Sequence, residues 1–361
     1  MPTQDIGVEP RTGRIEVDHT RPYSPSWIDR FTAWVDRLPG PSWLCYLVMW
    51  LTLLLLYSAV KWWDRAYPIG MLNAIHLLLT GTGVYVIALI HYLDRSAGAA
   101  LAAFRPVLTV DAQRYAELHY RLTTLPPRPT WWVALLVGLW RGTYFFFHPD
   151  LFPPLNLGTS QLALSIEIVL FCFIWAMAGV FVYHTFHQLQ LVSRIYSHDT
   201  HINLFHLGPL YAFSHLTART ALGILLLGMI WVISERLTGF PLLLNETTLF
   251  FSFVALLTFL WPLRSAHTSL TAEKQRLQDD TAQRLANTFA ELDHRVDANA
   301  LGDIGTLKTA IDSLQMKQTA IAKISTWPWQ IDTFRAVVTA IALPLVIWVI
   351  QRVLELFVFA N

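Results

Sequence analysis

Charge is scarce in this chain. Only 14% of its 361 residues are Asp, Glu, Lys or Arg, where an ordinary soluble domain has about a quarter. The formal net charge is +1, which gives no basic surface for a nucleic acid partner. Cysteine is scarcer still. The two residues, Cys45 and Cys172, both lie in apolar runs, so no disulfide framework is implied. The chain has no nucleophile elbow, phosphate loop, dinucleotide fingerprint, His-Glu-x-x-His or Cys-x-x-Cys. The reading is therefore non-enzymatic, with no cofactor. The first 40 residues also lack the apolar core of a cleavable leader, so the first long apolar run is expected to serve as its own insertion signal.

What is abundant is apolar surface, at 54% of residues. Seven runs are each close to the ~20 residues that a bilayer core requires: 43–61, 70–92, 131–147, 161–184, 211–234, 247–263 and 334–357. The expected class is an all-α polytopic membrane protein, integral to the plasma (inner) membrane. Residues 1–24 read as a polar tail. Residues 25–40 read as an amphipathic helix on the membrane surface, with Trp27, Ile28, Phe31, Trp34, Val35 and Leu38 on one face. Segment 95–130 lies between spans, with a helix expected from Asp111 to about Leu122.

Orientation follows from Lys and Arg. One set of connections carries twenty, and the alternate set carries three, or four with Arg352. By the positive-inside rule the N-terminus and the segment after span six are cytoplasmic, and the C-terminus faces out.

Segment 264–330 is the longest departure from apolar sequence, and it reads as a cytoplasmic antiparallel helical hairpin. Its second arm carries Ile304, Leu307, Ile311, Leu314, Gln318 and Ile321 at alternating spacings of three and four. That is a short heptad seam with one polar member, Gln318, and such a residue can set register and partner. Leu285, Phe289, Leu292 and Val296 give the first arm the same rhythm. The seam closes the two arms on each other; it also allows a homo-oligomer contact or a cytoplasmic protein partner. Trp327, Pro328 and Trp329 form the joint between this hairpin and the last span. Proline stops the incoming helix and the indoles suit the headgroup layer. Pro344 should kink the last span.

Polar residues inside spans are functional candidates because hydrocarbon burial is costly. Arg141 lies six residues before the outer end of span three, and Glu167 lies six residues into span four. Equal depth in antiparallel neighbours predicts an ion pair between them. At the inner ends, Asp94, His184, His187, His215 and Arg219 form an expected polar cluster. His184/His187 and His198/His201 are each three apart, a spacing that can place two metal ligands on one helix face. Asp199 could add an oxygen ligand, but no third ligand stands at a motif spacing.

These features support three functions. The first is a channel or receptor-like sensor in which the hairpin couples to the kinked last span. The second is a transporter or a metal- or proton-handling protein using Arg141, Glu167 and the histidines. The third is a scaffold that recruits a cytoplasmic partner. Seven spans with the N-terminus inside resembles the topology of insect odorant and gustatory receptor channels; the likeness is one of architecture and carries no motif and no residue.

Overall fold

The computed structural model describes residues 21–148, 160–200, 203–238, 247–297, 302 and 304–359. Among these the chain is helical, and its only β-pairing is a single bridge between Leu108 and Thr200. The helices are α1 (Trp27–Val35), α2 (Ser42–Trp63), α3 (Ala74–Phe104), α4 (Ala112–Thr123), α5 (Pro127–Phe147), α6 (Gln161–His198), α7 (Ala212–Thr238), α8 (Thr247–Asp297), α9 (Ile304–Lys323) and α10 (Ile331–Phe359).

Six of them, α2, α3, α6, α7, α8 and α10, are long and apolar enough to cross a membrane. By length and composition these six helices are compatible with an integral membrane protein of multi-pass type. The expected third span is the 21-residue helix α5, which is not among the six. Arg141 and three tryptophans dilute its hydropathy, since an indole is polar at one end and apolar at the other. Helix α5 packs antiparallel along α6. A Cβ on Gly138 would come 2.9 Å from the Cys172 carbonyl, so only glycine lets the two backbones approach this closely.

Local signals explain most boundaries. Ser26 caps α1 in a reciprocal box with Asp29, and the Asp111 carboxylate accepts from the Arg114 amide at 2.7 Å to start α4. Helix α2 ends where Arg65 adopts φ 59°, a left-handed closure in which the Ala66 and Tyr67 amides both reach the Lys61 carbonyl. Helices α6 and α8 run on well past the apolar stretches that begin them. At 51 residues, α8 extends for about 75 Å at ~1.5 Å per residue, and it continues through Pro262, which is buried inside it.

The core joins α3, α6, α7 and α8, with Leu93, Phe104, Val192, Phe213 and Leu263 among its buried side chains. Tyr85 ties α3 to α7 by donating to the Gly223 carbonyl at 2.9 Å. Helix α1 turns Ile28 and Val35 into this core and leaves Trp34 exposed. Its Asp29, which the amphipathic reading places off the apolar face, is buried as well.

Candidate functional site

Among the described residues the most deeply buried charge is Lys61, on the last turn of α2, with a side chain that is 0% exposed. Its Nζ pairs with the carboxylate of Glu167 on α6. The stripe Leu54, Tyr57, Ser58 and Lys61 is the face of α2 that turns inward, which carries the ammonium into the bundle rather than out to the interface. Tyr57, one turn before Lys61, also hydrogen-bonds Glu167. Its ring centre lies 4.7 Å from that of His76, and the Tyr67 ring lies 5.5 Å from the same imidazole. Asn73 donates to the Tyr67 hydroxyl at 3.0 Å while capping the first turn of α3. Lysine, carboxylate, phenols and imidazole thus meet at one end of the bundle.

The expected Arg141–Glu167 pair is corrected here. Glu167 is engaged by Lys61, and Arg141 instead lays its guanidinium over Trp175, 4.3 Å from the ring centre, with Tyr144 at 5.1 Å. Equal depth is necessary for a pair but does not fix which way each helix is rotated, and α5 turns Arg141 onto an aromatic face. That contact is a cation–π interaction. The Arg141 Nε has no hydrogen-bond partner among the described residues.

At the opposite end the expected polar cluster divides. The His184 Nε2 lies 2.8 Å from the Asp94 carboxylate. One turn on, His187 donates to the Arg121 carbonyl at 3.2 Å and Gln188 to the Leu122 carbonyl at 3.3 Å. These three side chains fasten α6 to α3 and to the end of α4. His215 and Arg219 belong elsewhere. His215 Nδ1 meets the Thr333 hydroxyl of α10 at 3.3 Å, and Arg219 lies 5.9 Å from the centre of the Tyr92 ring. A second set that the sequence reading missed joins α1 to α3: Asp36 reaches both His91 and Arg95 at 3.1 Å, and His91 also contacts the Tyr46 hydroxyl at 2.9 Å. Only the spacing of His91 and Arg95 on one helix face hinted at it.

No group of three metal-ligating side chains occurs among the described residues. His184 and His187 are committed to the contacts above, His198 faces the Arg194 carbonyl at 3.3 Å, and His201 lies outside the described residues.

Burial governs the ionisation of the N-terminal helix. The Asp29 carboxyl is pushed up to about 6 by desolvation, with Asp94 adding repulsion, against three hydrogen bonds that favour its charge. Those donors are the Ser26 hydroxyl at 2.7 Å, the Ser26 amide at 2.9 Å and the Leu125 amide at 3.0 Å.

No family model, curated protein or solved structure matches the chain. What it does must come from the chemistry and mechanics of these residues.

The joint at Trp327, Pro328 and Trp329 is a continuous aromatic stack. His267 of α8 lies against Trp327, Trp327 against Trp329 at 4.4 Å, and Trp329 against Phe334 of α10 at 5.2 Å. Just below, Lys274 Nζ donates to the Ala322 and Ile324 carbonyls, both at 2.8 Å, and so caps the C-terminal end of α9. Within the arm formed by α8 and α9, Ile311 and Ile321 are buried and Ile304, Leu307 and Leu314 half-buried. Gln318 is exposed, which corrects its place as a buried polar member. Its neighbour Lys317 turns inward instead and stands 3.9 Å from Asp280. From Leu314 the helical period reaches the facing side again at residue 317, one position earlier than the heptad frame has it. Phe289 and Val296 are exposed too. Pro344 lies inside α10, which runs from Ile331 to Phe359 without a break.

Proposed function

We propose that the protein is a non-enzymatic plasma-membrane channel or receptor-like sensor, in which movement of the α8–α9 arm is passed to α10. The observation that carries this is the contrast along α10. Its N-terminus is fixed to α8 through His267, Trp327, Trp329 and Phe334, yet only 11% of its apolar window is buried in the monomer. A helix held firmly at one end and packed loosely along its length can be displaced at low cost.

The orientation in this reading has the arm and N-terminus in the cytoplasm and the C-terminus outside, with α5 as the seventh span. The antiparallel register of α5 with α6 supports that count. The loosely packed face of α10 would meet other copies in a homo-oligomer. The exposed Phe289, Val296 and Met316 of the arm offer a contact to those copies or to a cytoplasmic protein. The test is ion flux in liposomes reconstituted with the full chain. Flux that responds to stimulus, and loses that response in Trp327→Ala/Trp329→Ala, is expected. Vesicles that stay ion-tight under every stimulus would refute conduction.

The buried Lys61–Glu167 pair favours a second reading, a proton-coupled transporter. Intramembrane carboxylates paired with a lysine and flanked by Tyr57 and His76 can exchange partners as a proton arrives. Here Glu167→Gln would abolish pH-driven uptake while leaving the protein in the membrane; uptake that persists in that variant excludes the reading.

A further inference from the structure

Helices α7, α8 and α10 enclose a cavity of about 460 Å³, within the range of small-molecule pockets, roughly 300–1,000 Å³. Leu225, Phe251, Ser252, Ala340, Pro344 and Trp348 are among its walls. Gly228 lets α7 and α8 close against each other at this level, since a Cβ there would come 2.6 Å from Phe251. Pro344 forms part of the third wall, where α10 lacks one rung of its hydrogen-bond ladder.

Two polar groups in these walls lack the partners that a helix ordinarily supplies. Ser252 is 3% exposed, and its Oγ has no hydrogen-bond partner among the described residues. A serine hydroxyl in a helix can bond the carbonyl one turn back, and this one does not. The Ala340 carbonyl would ordinarily accept from the amide of residue 344, and proline has none. Thr248 and Trp348 contribute the other polar side chains; among the described residues, no ionisable one lines the cavity.

This lining selects a chemical class. A charged ligand would be buried without a counter-charge, which is strongly unfavourable. A ligand with only an acceptor would serve Ser252 and leave Ala340 unmet. A hydroxyl both accepts and donates, and an apolar body fills the rest. We propose that the cavity binds a small uncharged alcohol or phenol, anchored through its hydroxyl by Ser252 and the Ala340 carbonyl. Leu226, Met229, Leu343 and Ile347 are exposed on the flank of the bundle beside it, so the ligand enters from the bilayer, where such molecules concentrate. Binding at this place does not depend on whether the protein conducts, and the test reads no current.

The experiment uses the full chain in phosphatidylcholine nanodiscs, with a diazirine-bearing heptanol and a matching diazirine-bearing heptane as photoprobes. The alcohol probe is expected to label peptides containing Ser252 and Ala340 saturably and to be displaced by 1-heptanol. Ser252→Ala should weaken that displacement about fivefold, the worth of one neutral hydrogen bond. Leu343→Trp, at the mouth, should block labelling. Equal saturable labelling by the heptane probe, or displacement unchanged in Ser252→Ala, would overturn the proposal and make the cavity a slot for lipid chains. Among the described residues the Ser252 hydroxyl bonds nothing, so its alanine variant should elute and melt like the parent. Were a variant misfolded, the alcohol-against-alkane comparison on the parent chain would decide alone.

Discussion

The indole of Trp327 lies 3.9 Å from the imidazole of His267, with the two rings within 11° of parallel. The contact bridges 60 residues of chain, and the His267 ring also meets the Thr326 carbonyl at 3.1 Å. The joint before α10 is therefore held through its side chains as well as through its backbone.

Trp327→Ala should loosen that joint. Losing a ring that stacks on both His267 and Trp329 costs about 0.5–1.5 kcal/mol per aromatic pair beyond the area exposed. Hydrogen exchange should rise across residues 325–334 and leave α3 unchanged, and Trp327→Phe should restore most of the protection. Exchange across residues 325–334 that stays at the parent level in the alanine variant would show the stack to be unimportant to the joint.

The Lys61–Glu167 pair predicts an asymmetric response. Removing either partner leaves a buried charge and should cost about 3–5 kcal/mol. The double variant Lys61→Met/Glu167→Leu should recover most of this, because the lone charge is gone. Arg141→Met should cost far less than either single variant. Thermal unfolding in one detergent measures all four proteins, and a loss in Arg141→Met as large as that in Glu167→Gln would return Arg141 to the ion pair.

Docking of α1 should depend on pH. The Asp29 carboxyl titrates near 6 in the folded chain, above the roughly 3.9 of a free aspartate. The folded state thus holds this proton more tightly than the unfolded one. Its contribution is complete below about pH 4 and is lost as pH rises through about 6, up to roughly 3 kcal/mol at 1.36 kcal/mol per pH unit. Proteolysis between residues 21 and 35 should therefore be slower at pH 5 than at pH 7.5, and Asp29→Asn should remove the difference. Equal rates at the two pH values in the parent chain would contradict it.

Lys274→Met should fray the end of α9. Two C-terminal carbonyls lose a charged donor, worth about 1.5–3 kcal/mol for such bonds when well shielded and less here, where one of them is exposed. Amide exchange at residues 318–326 reports it, and an unaltered pattern there would show that solvent replaces the lysine freely.

Local signals were readable from the sequence, and rotational phase was not. Apolar runs, Asp111 as a cap and the long polar continuation after span six each depend on neighbours a few residues away, and each has a counterpart in the helices. The partner of Glu167 depends on how α2 is rotated, which α3 and α6 decide across 106 residues. Gln318 and Lys317 differ by one step of about 100°, too fine for a heptad count on one arm. Asp29 looked solvated because its third hydrogen bond comes from Leu125, 96 residues away. The span count turned on α5, which is long enough to cross a bilayer but carries Arg141 and three indoles with a polar edge.

Helix α8 passes from the bundle to the tip of the arm without interruption, and this has a mechanical consequence. From Pro262 to Asp297 the rod is roughly 50 Å long at ~1.5 Å per residue. A tilt of about 5° at Pro262 would sweep the tip through roughly 4.5 Å at that radius. Read in reverse, several ångströms of displacement imposed at the tip become, at the helix's own radius of about 5 Å around Pro262, a sub-ångström adjustment applied with about tenfold greater force.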